Sequence, residues 1–269
     1  MIFNGCARLL RASTALAGRR YGLLAHAAAG TEDLRPLHLA LAASPGGAPT
    51  VLFGPEHGYW GVEQDMVASR DERDPATGVA VRSLYGDDEA SLRPAPEAFE
   101  GLDLLVVDLQ DVGSRYYTYA ATAVWAAEVA IGAGLEVWIL DRPNPLGGQL
   151  VEGPGVDAGF HSFVVAFDMP VRHGLTLGEL VRLEAKRRAW PEESLRVWTM
   201  AGWKRAMRWD ACRRPWIAPS PNMPSAHIAG LYPGGCLFEA TTLSEGRGTT
   251  RPFQLVGGPG VPAESWAGA

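Results

Sequence analysis

Short, continuously apolar runs alternate along this chain with stretches of helical periodicity, the order expected of a parallel α/β protein. Tyr21-Gly22-Leu23-Leu24 reads as a first strand, Leu34 to Ala42 as a helix, Thr50 to Phe53 as a second strand and Val79 to Leu84 as a third. The plainest strand lies at Leu102 to Leu109, where Leu104-Leu105-Val106-Val107 is apolar without a break until Asp108. Such a run suits a parallel strand, because alternation disappears when neither face meets water. Tyr119 to Ala133 is rich in alanine and is closed by Gly132 and Gly134, which reads as a helix. Glu136-Val137-Trp138-Ile139-Leu140-Asp141 is a second buried strand. Residues 102–141 therefore form a βαβ crossover. The chain is expected to fold as a Rossmann-like, doubly wound α/β protein, a mostly parallel sheet with helices on both faces. Farther on, Thr176 with Glu179 three positions later forms a capping box that opens a helix from Leu177 to Arg188.

In open α/β sheets the ligand crevice lies beyond the carboxyl ends of the strands, and three of the expected strands end in polar clusters. Val51-Leu52-Phe53 leads into Gly54-Pro55-Glu56-His57-Gly58. The central strand leads into Asp108-Leu109-Gln110-Asp111-Val112-Gly113-Ser114-Arg115-Tyr116-Tyr117-Thr118-Tyr119, and the next into Asp141-Arg142-Pro143-Asn144-Pro145. Each cluster has a structural alternative, with Asp108 or Asp111 capping a helix and Asp141-Arg142 forming a local ion pair. Their coincidence on one edge favours a functional reading. The tyrosines offer flat, amphipathic faces of the kind that stack on sugars or bases. Arg172 and His173 precede the capped helix as further candidate contacts. The loops carrying Asn222 and Glu245-Gly246-Arg247 add an amide, an acid and a guanidinium.

Composition narrows the classes. With 269 residues, 47% hydrophobic and 20% charged, the chain can bury the core of one large domain or two small ones. A net charge of −6 leaves no basic footprint, so neither nucleic acid nor an anionic membrane surface is an expected partner. No run approaches the roughly 18 apolar residues of a membrane span. Arg8, Arg11, Arg19 and Arg20 interrupt the stretch where a secretory signal would carry its apolar core, and a cytoplasmic chain is expected. Cys6, Cys212 and Cys236 are widely spaced and odd in number, which suggests neither a disulfide framework nor a zinc site. The phosphate-loop, His-Glu-x-x-His and Gly-x-Ser-x-Gly patterns are missing, and Leu24-Ala25-His26-Ala27-Ala28-Ala29-Gly30 stands where a dinucleotide fingerprint would follow the first strand. No metal and no cofactor is expected; the oligomeric state is not specified.

Six blocks, in order, carry a resemblance. They are Phe53 to Gly58, Asp108 to Tyr119, Asp141-Arg142-Pro143-Asn144-Pro145, Glu152-Gly153-Pro154, Arg172-His173-Gly174-Leu175-Thr176 and Ser244 to Thr250. Together they resemble the motifs of the exo-β-N-acetylmuramidase family, NamZ, over about Gly18 to Gly258. The resemblance implies a glycoside hydrolase of bacterial cell-wall turnover that releases terminal N-acetylmuramic acid from the non-reducing end of peptidoglycan fragments, so that the partner is a small carbohydrate. Residues 1–258 then correspond to the Rossmann-like catalytic domain and residues 259–269 to a tail, with the family's smaller carboxyl-terminal domain expected to be absent. The alanines of Ala25-His26-Ala27-Ala28-Ala29 depart from the family's polar loop.

Such chemistry needs an acid to protonate the leaving oxygen and usually a second carboxylate as base or nucleophile. Glu56 is the first choice for the acid, with His57 orienting it or sharing its proton. Glu245, Asp111 and Asp141 compete for the second role, and the stereochemical course stays open. The lactyl carboxylate of muramic acid suits a guanidinium fork, for which Arg115, Arg142, Arg172 and Arg247 are candidates. Asn144 and Asn222 could read acetamido or hydroxyl groups, and Tyr116 or Tyr117 could stack on the ring. The competing readings are a non-catalytic muropeptide binder and a nucleotide-dependent oxidoreductase.

Overall fold

A computed structural model describes residues 2–64, 67–68, 70–86 and 89–268. Its centre is a seven-stranded sheet built from β1 (Tyr21–Ala25), β2 (Val51–Gly54), β3 (Glu72–Arg73), β4 (Ala80–Ser83), β5 (Leu104–Asp108), β6 (Glu136–Leu140) and β7 (Leu195–Trp198), in the order β3-β4-β2-β1-β5-β6-β7. Every pair is parallel except β3 with β4. The order runs outward in both directions from β1 and β5, which is the doubly wound, Rossmann-like arrangement expected from the sequence.

Alternation along the strands sorts their side chains into two cores. Leu24, Phe53, Leu105, Val107, Val137 and Ile139 face one cluster, while Leu23, Leu52, Leu104, Val106, Trp138 and Leu140 face the other. The first is covered by α3 (Tyr119–Gly132) and α4 (Leu177–Arg187), the second by α1 (Gly5–Arg11) and α2 (Leu37–Ala42). Burial on both faces explains why β5 and β6 read as unbroken apolar runs. Ten residues of α3 are buried, which explains why its sequence is apolar on nearly every side.

One element differs from expectation at its edge. The helix expected from Leu34 begins at Leu37, because Leu34 takes a left-handed φ of 65° and Pro36 holds the N-cap in extended backbone. The helix Thr176 was expected to cap does so: its hydroxyl accepts the Glu179 N–H while the Glu179 carboxylate accepts the Thr176 N–H. Beyond β7 lie α5 (Trp209–Cys212), α6 (Ala226–Gly235) and α7 (Ala263–Ala267). Among the described residues no helix is long and apolar enough to cross a membrane.

Candidate active site

β2 delivers Glu56 and His57 in a turn whose tightness is set by neighbouring backbone. A Cβ on Gly54 would lie 2.5 Å from the Tyr59 amide nitrogen, so the chain can double back there only with glycine. The Gly58 N–H then closes a turn onto the Pro55 carbonyl at 3.0 Å, and His57 occupies its third position with φ 70°, where glycine is usual. Two bonds to Glu63 hold this strained residue: the His57 carbonyl accepts the Glu63 N–H at 3.2 Å, and His57 Nδ1 lies 2.9 Å from the Glu63 carbonyl. A carbonyl can only accept, so Nδ1 carries the proton and Nε2 is left for another partner.

Glu56 is 5% exposed. Its Oε2 accepts the Thr118 hydroxyl at 2.7 Å. Thr118 is the N-cap of α3, yet its side chain makes no capping bond; the hydroxyl serves Glu56 instead. The carboxyl thus sits at the positive end of a 14-residue helix, which steadies an anion there. Among the described residues Oε1 has no hydrogen-bond partner, and Glu56 lines the space beyond.

That space is a cavity of about 450 Å³, within the range of small-ligand sites. Glu56, His57, Tyr116, Tyr117 and Thr118 line it from the strand ends, Asn222 and Ser220 from the loop before α6, and Tyr232, Cys236, Glu239, Arg247 and Phe253 from the region that follows. Edge-on ring contacts run from Tyr119 through Tyr117 and Tyr232 to Phe253, with centroids 4.8, 5.9 and 5.0 Å apart. Burial pushes the phenols of Tyr117, Tyr119 and Tyr232 upward, so this wall stays neutral at any ordinary pH. The Tyr119 hydroxyl donates to the Pro219 carbonyl at 2.6 Å and so ties the loop before α6 to α3.

Of the candidates named from the sequence, Glu56, His57, Tyr116, Tyr117, Asn222 and Arg247 are brought together around this cavity. Glu245 is buried behind Arg247, its Oε1 3.0 Å from Arg247 Nε, while Glu239 holds the other end of the same guanidinium at 2.5 Å. Asn222 Oδ1 accepts the Gly248 N–H at 3.2 Å and fastens this loop. Asp111 is buried off the lining, accepting the Gly113 N–H at 2.6 Å, with His173 Nε2 3.6 Å away. His173 Nδ1 accepts the Leu175 N–H.

The remaining candidates are committed elsewhere. Arg142 and Asp108 form a buried bidentate pair, Nε to Oδ1 at 2.5 Å and Nη2 to Oδ2 at 2.8 Å. Asp141 lies under the start of α4, accepting from the Thr176 hydroxyl and the Gly178 amide, both at 2.9 Å. Asn144 uses both ends of its amide, donating to the Leu175 carbonyl and accepting the Leu146 N–H. Gly113, with φ 84°, packs so closely on that amide that any Cβ would overlap it. Arg115 donates to the Pro154 and Met169 carbonyls, and Arg172 to Glu152 and the Leu146 carbonyl. These motif residues build the scaffold around the cavity more than its surface. Tyr232 and Glu239, which do face it, lie outside every sequence motif, and Thr118, within the polar cluster after β5, is not singled out there as a partner of Glu56.

A Rossmann-like sheet would place a dinucleotide at the switch between β1 and β5. Here that crevice is filled: the cleft lined by Ala28, Gly30, Gln110 and Arg142 has room for only about 20 Å³, and His26 Nε2 accepts the Gln110 N–H across it at 2.8 Å. The fold and site therefore define a Rossmann-like protein whose ligand space has moved from the switch point towards β2 and the start of α3.

The chain belongs to the exo-β-N-acetylmuramidase NamZ family. Residues 21–227 match the model of the family's N-terminal part, and residues 230–269 match that of its C-terminal part. The cavity takes walls from both regions. A relative from Bacillus subtilis (strain 168), described as peptidoglycan β-N-acetylmuramidase NamZ, is 43% identical over 246 residues, which is 91% of this chain and 58% of that protein. The chain thus spans somewhat over half the length of this curated relative. Two crystal structures of DUF1343 family proteins from Bacteroides fragilis NCTC 9343 share the fold. One superposes with a TM-score of 0.87 at 36% identity, covering 99% of this chain and 68% of its own; the other has a TM-score of 0.80 at 32% identity, covering 97% and 68%.

Proposed function

We propose that this protein is an exo-β-N-acetylmuramidase, a hydrolase that removes terminal N-acetylmuramic acid from the non-reducing end of peptidoglycan fragments. The observation that carries this reading is Glu56: a buried carboxyl, clamped on one oxygen by Thr118, presents the other to a tyrosine-walled cavity. In this reading Oε1 holds the proton given to the glycosidic oxygen as the bond breaks. The anion left on Glu56 is then stabilised by the Thr118 hydroxyl and the N-terminus of α3. His57 Nε2 orients the acid or relays its proton. The second carboxylate comes from the Glu239–Arg247–Glu245 array, in which Glu239 lines the cavity and Glu245 holds Arg247 from behind. Tyr116 and Tyr117 give the sugar ring its stacking surface.

The test is turnover of a chromogenic β-N-acetylmuramide by the wild type and by Glu56→Gln. General acid catalysis contributes about 10²–10⁴-fold, so the variant is expected to lose at least two orders of magnitude in kcat while keeping its thermal midpoint. Normal turnover by Glu56→Gln would remove Glu56 from the acid role.

A further inference from the structure

A second cavity, of about 370 Å³, adjoins the first and shares Tyr116 and Leu237 with it. Part of its wall is a bare face of α6: Gly230, Pro233 and Gly234 recur at helical spacing and leave a trough. Arg208 lies across that trough, its Nη2 3.7 Å from where a Cβ on Gly230 would stand.

The charges around the two cavities are unequally spent. Arg142 is neutralised by Asp108, Arg172 by Glu152, and Arg247 by Glu239 and Glu245, while Arg115 is used on the carbonyls of Pro154 and Met169. Arg208 has no hydrogen bond or ion pair from its guanidinium among the described residues, and none of the carboxylates above is paired with it. A guanidinium already holding two carboxylates has little left to offer a third, whereas an unpaired one keeps its full fork for an incoming anion.

We infer that Arg208 is the specificity-determining residue that receives the lactyl carboxylate of the muramyl sugar, the ring occupying the first cavity and the lactyl ether passing Tyr116 into the second. This rests on the proposed muramidase reading, and it assigns the role to a residue that no motif marked. It also explains why Arg247, though it lines the first cavity, is held between two acids: its charge balances them.

The experiment compares kcat/KM on a β-N-acetylmuramide and on the matching β-N-acetylglucosaminide, which lacks the lactyl group, together with the affinities of the two free sugars by calorimetry. The wild type is expected to prefer the muramyl compounds, and Arg208→Gln to cut that preference roughly ten- to a hundredfold, the worth of a charge-assisted fork. Arg208→Lys is expected to fall between them, and Arg11→Gln on α1 to keep the wild-type ratio. An unchanged ratio in Arg208→Gln, or a ratio that collapses in Arg247→Gln alone, would overturn the assignment. Calorimetry separates the two readings. Lack of turnover by the wild type on either glycoside, with the binding preference still dependent on Arg208, would sink the hydrolase and leave the carboxylate site standing.

Discussion

Thr118 shows how one side chain can decide the state of another. A threonine at an N-cap ordinarily bonds its own helix, and forgoing that bond costs about 1 kcal/mol; here the hydroxyl is given to Glu56 at 2.7 Å. Thr118→Val keeps the shape and removes the donor, leaving Glu56 free to turn. A kcat lower by roughly ten- to a hundredfold with little change in KM is expected, and Thr118→Ser should recover most of it, as read by steady-state kinetics. Equal loss in the valine and serine variants would show that the methyl group, not the hydroxyl, matters. At this scale the sequence was informative about residues and less so about their use. Glu56 and His57 stand out because a polar pair directly follows an apolar strand. Arg142 and Asn144 stand out for the same reason, yet their side chains are consumed within the fold, and nothing in a linear sequence separates the two outcomes. Glu239 and Arg208 sit in segments without a motif and come to the cavities only through tertiary packing.

Between elements, the Asp108–Arg142 pair locks the end of β5 to the turn after β6 where a nucleotide would otherwise enter. Both partners are buried, so removing one strands the other's charge. Arg142→Met is expected to lower stability by about 3–5 kcal/mol in chemical denaturation, and the double change Asp108→Asn with Arg142→Met to recover part of that loss. A stable Arg142→Met protein that had lost muramic acid binding would return Arg142 to the ligand. The strands β1, β2, β5 and β6 were legible because burial on both faces leaves an unmistakable apolar run. β7, Leu-Arg-Val-Trp, was not, since it is a partly exposed edge strand whose arginine breaks the pattern. α6 was hidden by its Pro233 and glycines, residues that argue against a helix interior yet here open the trough beside Arg208.

For the molecule as a whole, Asp141 links stability to pH. Burial pushes its carboxyl up from the ordinary 3.8 to about 6, against the bonds from Gly178 and Thr176 that favour its anion. A folded-state pKa above the unfolded one means that protonated Asp141 favours the fold; the contribution is complete below about pH 4 and is lost as pH rises through 6. Relative to Asp141→Asn, the wild type should therefore lose on the order of 2–3 kcal/mol between pH 4 and 7. Any constant offset from the amide leaves that slope intact, and a level difference between the two denaturation profiles would refute it. The filled switch point and the displaced cavity set where a ligand can bind, and the muramidase activity proposed for that cavity is the central claim. The most direct measurement is incubation of the protein with the disaccharide N-acetylmuramyl-β-1,4-N-acetylglucosamine, followed by mass spectrometry. Release of free N-acetylmuramic acid by the wild type and not by Glu56→Gln is the predicted result; an intact disaccharide that nonetheless binds would mark the protein as a sugar-binding module and contradict the account.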